Sequence, residues 1–300
     1  MRFKLLGDCA REMERWLTRA SSRHAPLAAL APRAAEPHGA TIQGQLWGAR
    51  AQDWATYMEQ VCLPLFGAAL DAARVTSGTH LLDAGCGAGL LALLAHLRGA
   101  RVAALDASPG LLAIARQRLP AADVREGDLE DLPFADASFD AVTAVNSVFY
   151  AEDMTAAMRE LVRVVRPGGR VVVTAWGPPE RCEFLTAVMP ALAPLMPPPP
   201  PGAPPPQPGA LSEPGALAAL LHGAGLRVVE EGEVACPFVF PSTEASWRGN
   251  ASAGVNQAAI AHSGEAAVRA VYANADRAHM RADGSVRYEN VFLWAAGERR

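Results

Sequence analysis

From residue 80 onward, short unbroken apolar runs alternate with stretches whose apolar positions recur every three or four residues. The runs at 80–85, 101–106, 123–128, 139–146 and the Val-rich 169–176 predict strands. The stretches at 90–98, 109–119 and 154–166 predict helices, the last with apolar residues at 158, 161, 162 and 165. Runs that are continuous rather than alternating indicate strands buried on both faces. Helices between them indicate a doubly wound, mostly parallel α/β sheet. Ahead of this core, residues 46–74 read as one or two helices carrying Trp47, Trp54, Tyr57, Met58, Val61, Leu65 and Phe66, with a break at Pro64. After Trp176 the rhythm stops. It resumes with a helix over 213–224 and a strand over 226–234; Ala-rich helices then fill 237–283, and a last strand spans 286–295.

Composition divides the 300 residues further. Half of the 24 prolines lie between Pro190 and Pro214, so 177–212 reads as a Pro-rich insertion loop, stiff where prolines run together. The core is then 41–236 with 284–300, and 237–283 is a helical insertion placed as a lid. Residues 1–40 read as a loosely attached leader. Its Arg- and Ala-rich start fits an organelle transit peptide, but Asp8, Glu12 and Glu14 count against that. The formal charge of −4 argues against a nucleic-acid binder, and no apolar run is long enough to span a bilayer. A single Lys against 26 Arg is a compositional bias, so surface Arg carries little functional information. Five dispersed cysteines, with no C-x-x-C pair, fit a reducing, cytoplasmic setting rather than a disulfide framework or a thiolate metal site.

The chemistry concentrates at the carboxyl ends of the predicted strands. The stretch Leu81-Leu82-Asp83-Ala84-Gly85-Cys86-Gly87-Ala88-Gly89 joins the first strand to a helix. Glycines there let backbone approach a ligand closely and allow positive φ. Asp106 ends the second strand, where a carboxylate can accept both hydroxyls of a ribose. Gly127-Asp128-Leu129 ends the third, offering an acid and an apolar neighbour to an adenine. An NAD-type loop would have G-x-G-x-x-G, but its last position is Leu90 here.

Asp83 two residues before the first glycine, with Leu105-Asp106-Ala107-Ser108, Gly127 to Phe134, Ser138-Phe139-Asp140 and Arg166-Pro167-Gly168-Gly169 in order, resembles the class I S-adenosylmethionine-dependent methyltransferases. The branch it is most similar to is the ubiquinone/menaquinone-biosynthesis-like one, often called type 11. The resemblance implies a Rossmann-like, seven-stranded sheet with its last strand antiparallel. It implies S-adenosylmethionine as cofactor, S-adenosylhomocysteine as product and a small organic methyl acceptor, with no metal. On it, Asp83, Gly85, Gly87, Gly89, Asp106, Ala107, Asp128, Leu129 and Asn146 would hold the cofactor, and Trp47, Tyr57 and Trp54 would cover it. Tyr150, Trp176 and Trp247 would shape an acceptor pocket. His262, an imidazole titrating near neutrality, is the candidate general base, and Asn146 a candidate for orienting the reactants. Two other classes compete: an NAD-linked oxidoreductase, and a non-catalytic cofactor- or partner-binding protein on the same scaffold.

Overall fold

The computed structural model describes residues 39–198 and 210–300. The leader up to residue 38 and the proline run at 199–209 lie outside the described residues, so the expectations placed on them have no structural counterpart here. The chain enters through helix α1 (Gly39–Gly48), a helical segment at 51–62 with a π turn at Trp54–Met58, and α2 (Leu63–Ala72). The sheet then builds from β1 (His80–Ala84), α3 (Leu90–Leu97), β2 (Arg101–Asp106), α4 (Pro109–Arg118), β3 (Asp123–Glu126), β4 (Phe139–Ala144), α5 (Met154–Val164) and β5 (Val165–Trp176). Helices α6 (Glu183–Leu192) and α7 (Ala216–Gly223) follow, then β6 (Arg227–Ala235). The insertion comprises β7 (Phe238–Phe240), α8 (Thr243–Ala251), α9 (Gly254–Ser263) and α10 (Glu265–His279). The chain closes with β8 (Val286–Tyr288) and β9 (Val291–Glu298).

Seven strands form one sheet in the order β3-β2-β1-β4-β5-β9-β6, with β9 antiparallel to both of its neighbours. This is the seven-stranded, mostly parallel, doubly wound α/β sheet that the sequence predicts. Burial follows position in the sheet. The inner strand β1 is buried from Leu81 to Ala84, and β5 from Gly169 to Ala175. The edge strand β3 reads Asp-Val-Arg-Glu and is largely exposed, while the other edge, β6, carries Glu230, Glu231 and Glu233. Charged, short or polar edges discourage further strand pairing. Local caps place the helix starts. Ser108 accepts the Leu111 amide at 3.3 Å at the head of α4, with Pro109 in the first turn. Asp153 accepts the Thr155 and Ala156 amides at the head of α5.

Three expectations need correction. The last strand is not continuous over 286–295. It breaks at Glu289–Asn290: β8 pairs with β7 in a separate two-stranded ribbon, and only β9 enters the sheet. Asn290 is the reason for the break. It is 2% exposed, its carbonyl accepts the Cys236 amide at 2.8 Å, and its side chain accepts the Phe184 amide at 3.2 Å. It thereby ties the head of α6 to the junction. Second, 177–212 is not a loop throughout, because Glu183–Leu192 is helical and buries Phe184, Val188 and Leu192 on one side. Third, the insertion begins with strand β7 rather than helix, because Phe238 and Phe240 alternate inward around exposed Val239 and match Tyr288 and Val286 across the ribbon.

Candidate active site

A cavity of about 660 Å³ opens at the carboxyl ends of β1, β2, β3, β4 and β5, roofed by α1, the π turn and the insertion helices. Ligands of open α/β sheets bind at this end. Of the predicted site residues, Asp83, Gly85, Asp106, Ala107, Asp128, Leu129, Asn146, Trp47, Trp54, Tyr150 and Trp176 line it. Five strand ends and one roof helix thus converge on one space.

The glycine loop is held by carboxylates. Asp106 accepts the Gly87 amide at 2.8 Å through one oxygen and the Ser108 amide at 2.9 Å through the other. The Leu90 amide, at the start of α3, donates to Glu59 at 3.0 Å. Glu59, 2% exposed, is paired at 2.5 Å with Arg118, which also donates to the Ala88 carbonyl at 2.8 Å. The backbone donors that would greet a phosphate at this turn are therefore taken, Gly87 and Leu90 by the protein's own acids and Gly85, Cys86 and Gly89 by backbone carbonyls. Each glycine has its own constraint. A Cβ on Gly85 would lie 2.3 Å from the Ser147 Cβ, at φ +80°. Gly89 sits at φ +83° and its Cβ would lie 2.9 Å from that of Ala115. Gly87 and Gly89 shape the loop without lining the cavity.

Four acids, Glu59, Asp83, Asp106 and Asp128, stand on the cavity wall. Asp83 accepts the Thr143 hydroxyl at 3.1 Å through Oδ1, while Oδ2 is buried with no partner. Burial, reinforced by the nearby Glu59 and Asp106 charges, pushes its carboxyl up to about 7. Burial also raises Glu59 and Asp106 above the usual carboxylate range. The Trp54 indole N–H is likewise buried without a partner and lines the same cavity. Asn146 adopts φ +51°, a left-handed conformation that Asn tolerates. Its amide donates to the Thr174 hydroxyl at 3.0 Å, and that hydroxyl donates to its Oδ1 at 2.9 Å. Asp128 commits one oxygen to the Glu130 amide at 2.9 Å. Trp47 packs edge-on to Trp54 at 4.9 Å and to Tyr150 at 5.2 Å.

The structure does not bring the other three predicted residues to the cavity. Tyr57 turns toward α8, where its hydroxyl accepts from Arg248 at 2.9 Å; Arg248 also pairs with Asp53 at 2.5 Å. The π turn widens the helix here and presents Trp54 to the cavity instead. Trp247 is buried within the insertion, near Tyr272 at 6.1 Å and under Arg269. His262 lies on α9 and is exposed. It stands roughly 240° around the helix from cavity-lining Asn256, at about 100° per residue. Conversely, sequence reasoning missed Glu59, Asn250, Asn256 and Tyr272. Glu59 carried no local signal, because its partners Leu90 and Arg118 are brought to it only by folding.

Comparison with known proteins agrees with this geometry. A methyltransferase-domain family model matches residues 82–173. A malonyl-[acyl-carrier protein] O-methyltransferase of Serratia marcescens is 45% identical over 95 residues, which is 32% of this chain and 37% of that one. The match thus spans well under half of the relative's length. Among solved structures, the [4+2]-cyclase SpnF superposes with a TM-score of 0.57 at 20% identity, over 88% of this chain and 97% of that one. A geranyl diphosphate C-methyltransferase from Streptomyces coelicolor A3(2) gives 0.50 at 16%, over 91% and 100%. Motif order, strand order and family match converge on one segment: residues 82–173 carry a methyltransferase domain of the class I S-adenosylmethionine-dependent type.

Proposed function

We propose that the chain transfers a methyl group from S-adenosylmethionine to a small organic acceptor inside the cavity. The observation that carries this reading is the sign of the site. Glu59, Asp83 and Asp106 face the cavity, the loop amides of Gly87 and Leu90 are already occupied by carboxylates, and no Lys, Arg or His is among the described lining residues. A sulfonium bearing an ammonium group fits such a wall, whereas the pyrophosphate of NAD would meet carboxylates where it needs donors. At an effective dielectric of about 20, one unit charge pair near 4 Å is worth roughly 4 kcal/mol, so the sign decides between the two.

The residues present fit the cofactor. Asp83 would hold the ammonium through its unpartnered oxygen, and the Asp106 carboxylate keeps lone pairs for ribose hydroxyls beyond its two backbone donors. Gly85 leaves room that a Cβ would fill, and Asp128 with Leu129 would hold the adenine edge and face. Trp54 adds an indole donor, and Trp47 with Tyr150 closes the side. When bound, the cofactor supplies an already electrophilic methyl group. What the protein adds is position: Asn146, pinned by Thr174, orients the reactants where β4 ends, and 237–283 acts as the lid that excludes water. His262 in the described geometry is remote from any proton transfer, so the acceptor either needs no base or is deprotonated by another group.

The test is incubation with methyl-labelled S-adenosylmethionine and fractionated metabolite extract. Label should pass to an organic product with the wild type and not with Asp106→Ala. Cofactor binding without transfer to any fraction would favour a role other than methyl transfer.

A further inference from the structure

Beyond the acidic end the cavity becomes aromatic. Trp176, Phe184, Phe238 and Phe292 line it, with Trp176 and Phe292 ring centres 4.4 Å apart and Phe184 and Phe238 5.5 Å apart. The insertion adds Asn250 from α8, Asn256 from α9 and Tyr272 from α10 to the same cavity lining, Tyr272 with its ring centre 6.2 Å from that of Phe184, and all three are at most 3% exposed. Most of their hydrogen bonds are internal. The Tyr272 hydroxyl donates to Asn256 Oδ1 at 2.9 Å, and Asn256 Nδ2 donates to the Asn250 backbone carbonyl at 2.7 Å.

Asn250 is the exception. Its Nδ2 donates to the Ser246 carbonyl at 2.9 Å and to the Ser246 hydroxyl at 3.3 Å. The Ser246 hydroxyl gives its own hydrogen to Asp276 at 3.0 Å, so it can only accept from Asn250. A carbonyl and an accepting hydroxyl on one side fix which way the amide points. Asn250 Oδ1 is therefore an acceptor, buried and without a partner, on a residue that lines the cavity. A buried polar atom left unpaired is costly and calls for a reason. None of the described lining residues is a Lys, Arg or His, so an anionic group at this end would find no counter-charge.

We propose that Asn250 Oδ1 is the recognition atom for the methyl acceptor, and that the acceptor is a neutral, largely aromatic molecule offering one hydroxyl or N–H donor. The aromatic wall takes its rings and Asn250 takes its donor. This rests on the methyltransferase reading, because the cofactor occupies the acidic end and leaves the aromatic end to the second substrate.

The probes are 2-naphthol and 2-methylnaphthalene, equal in shape and differing in one donor. Each is titrated calorimetrically into protein preloaded with S-adenosylhomocysteine. The wild type should bind 2-naphthol at least tenfold more tightly, since a site built to pair a hydroxyl rejects the analogue without it. Asn250→Leu, which loses only hydrogen bonds within its own helix turn, should bring the two affinities within twofold while leaving the S-adenosylhomocysteine affinity and thermal midpoint in place. Equal affinities in the wild type, no binding of either probe, or a preference that survives Asn250→Leu would each overturn the proposal. The wild-type comparison decides even if the variant fails to fold. Failure of the methyltransferase reading shows separately, as absent S-adenosylhomocysteine binding in the preloading titration; the probe pair is then compared in the unloaded protein.

Discussion

Asp83 is the residue with the largest pH consequence. Its folded carboxyl titrates near 7 against an ordinary 3.8, because burial penalises the charge. The stability that this group contributes is fully present below pH 3.8 and is lost as pH rises through about 7. Raised by about three units, it costs on the order of 4 kcal/mol once ionised. The thermal midpoint of the cofactor-free protein should therefore fall between pH 5 and pH 8 more steeply in the wild type than in Asp83→Asn. Affinity for cationic S-adenosylmethionine should rise over the same window with release of a proton, seen as a buffer-dependent calorimetric enthalpy, and Asp83→Asn should abolish that dependence. Asp106→Ala should weaken the cofactor more than tenfold, because it removes ribose hydrogen bonds and releases the Gly87 amide. An unchanged dissociation constant would refute that assignment. Both acids were legible in the sequence because each ends a strand at a fixed distance from the glycine loop. Glu59 was not: a lone acid in an apolar helical stretch looks like any solvated residue until Arg118 and the Leu90 amide fold against it. Glu59→Gln should destabilise the protein by about 3 kcal/mol, measured by urea denaturation, because Arg118 would keep its charge with backbone carbonyls but no counter-charge.

The central strands were readable at the scale of elements because their continuous apolar runs are too short for helices and are bounded by Gly, Asp and Pro. The last strand was not, because Val286 to Ala295 is uniformly strand-like and only tertiary hydrogen bonds to Asn290 divide it. Nor was the role of the π turn, which exchanges Tyr57 for Trp54 at the cavity. Tyr57 instead joins Asp53 in holding Arg248 of α8. Asp53 is largely buried and Arg248 about 43% exposed, so the pair adds little to global stability but sits at one corner of the insertion. Asp53→Ala should leave the thermal midpoint within a few degrees and increase amide exchange across α8. Helix α1 depends on a different detail: a Cβ on Gly44 would lie 2.0 Å from the Ala107 carbonyl oxygen, so Gly44→Val should lift α1 off the cavity and weaken the cofactor without unfolding the sheet. Far-UV circular dichroism beside a cofactor titration separates those outcomes.

The whole molecule joins a sheet whose first five strands match the family model to a roof that lies outside the match. The sheet half matches the methyltransferase family over 82–173, and its topology could be anticipated from motif order. The far cavity wall draws its aromatic rings from β5, α6, β7 and β9 and its amides and Tyr272 from the insertion, and no motif in the sequence announced Asn250, Asn256 or Tyr272. Fold alone does not settle the reaction, since SpnF is a [4+2]-cyclase on the same architecture. The claim on which the rest depends is that this acid-lined cavity selects a cationic S-adenosyl ligand over a pyrophosphate dinucleotide. Calorimetric titration of one preparation with S-adenosylmethionine, S-adenosylhomocysteine and NAD tests it most directly. Saturable one-to-one binding of the first two, with no heat from NAD, is the predicted result; tight NAD binding with neither S-adenosyl ligand bound would contradict it.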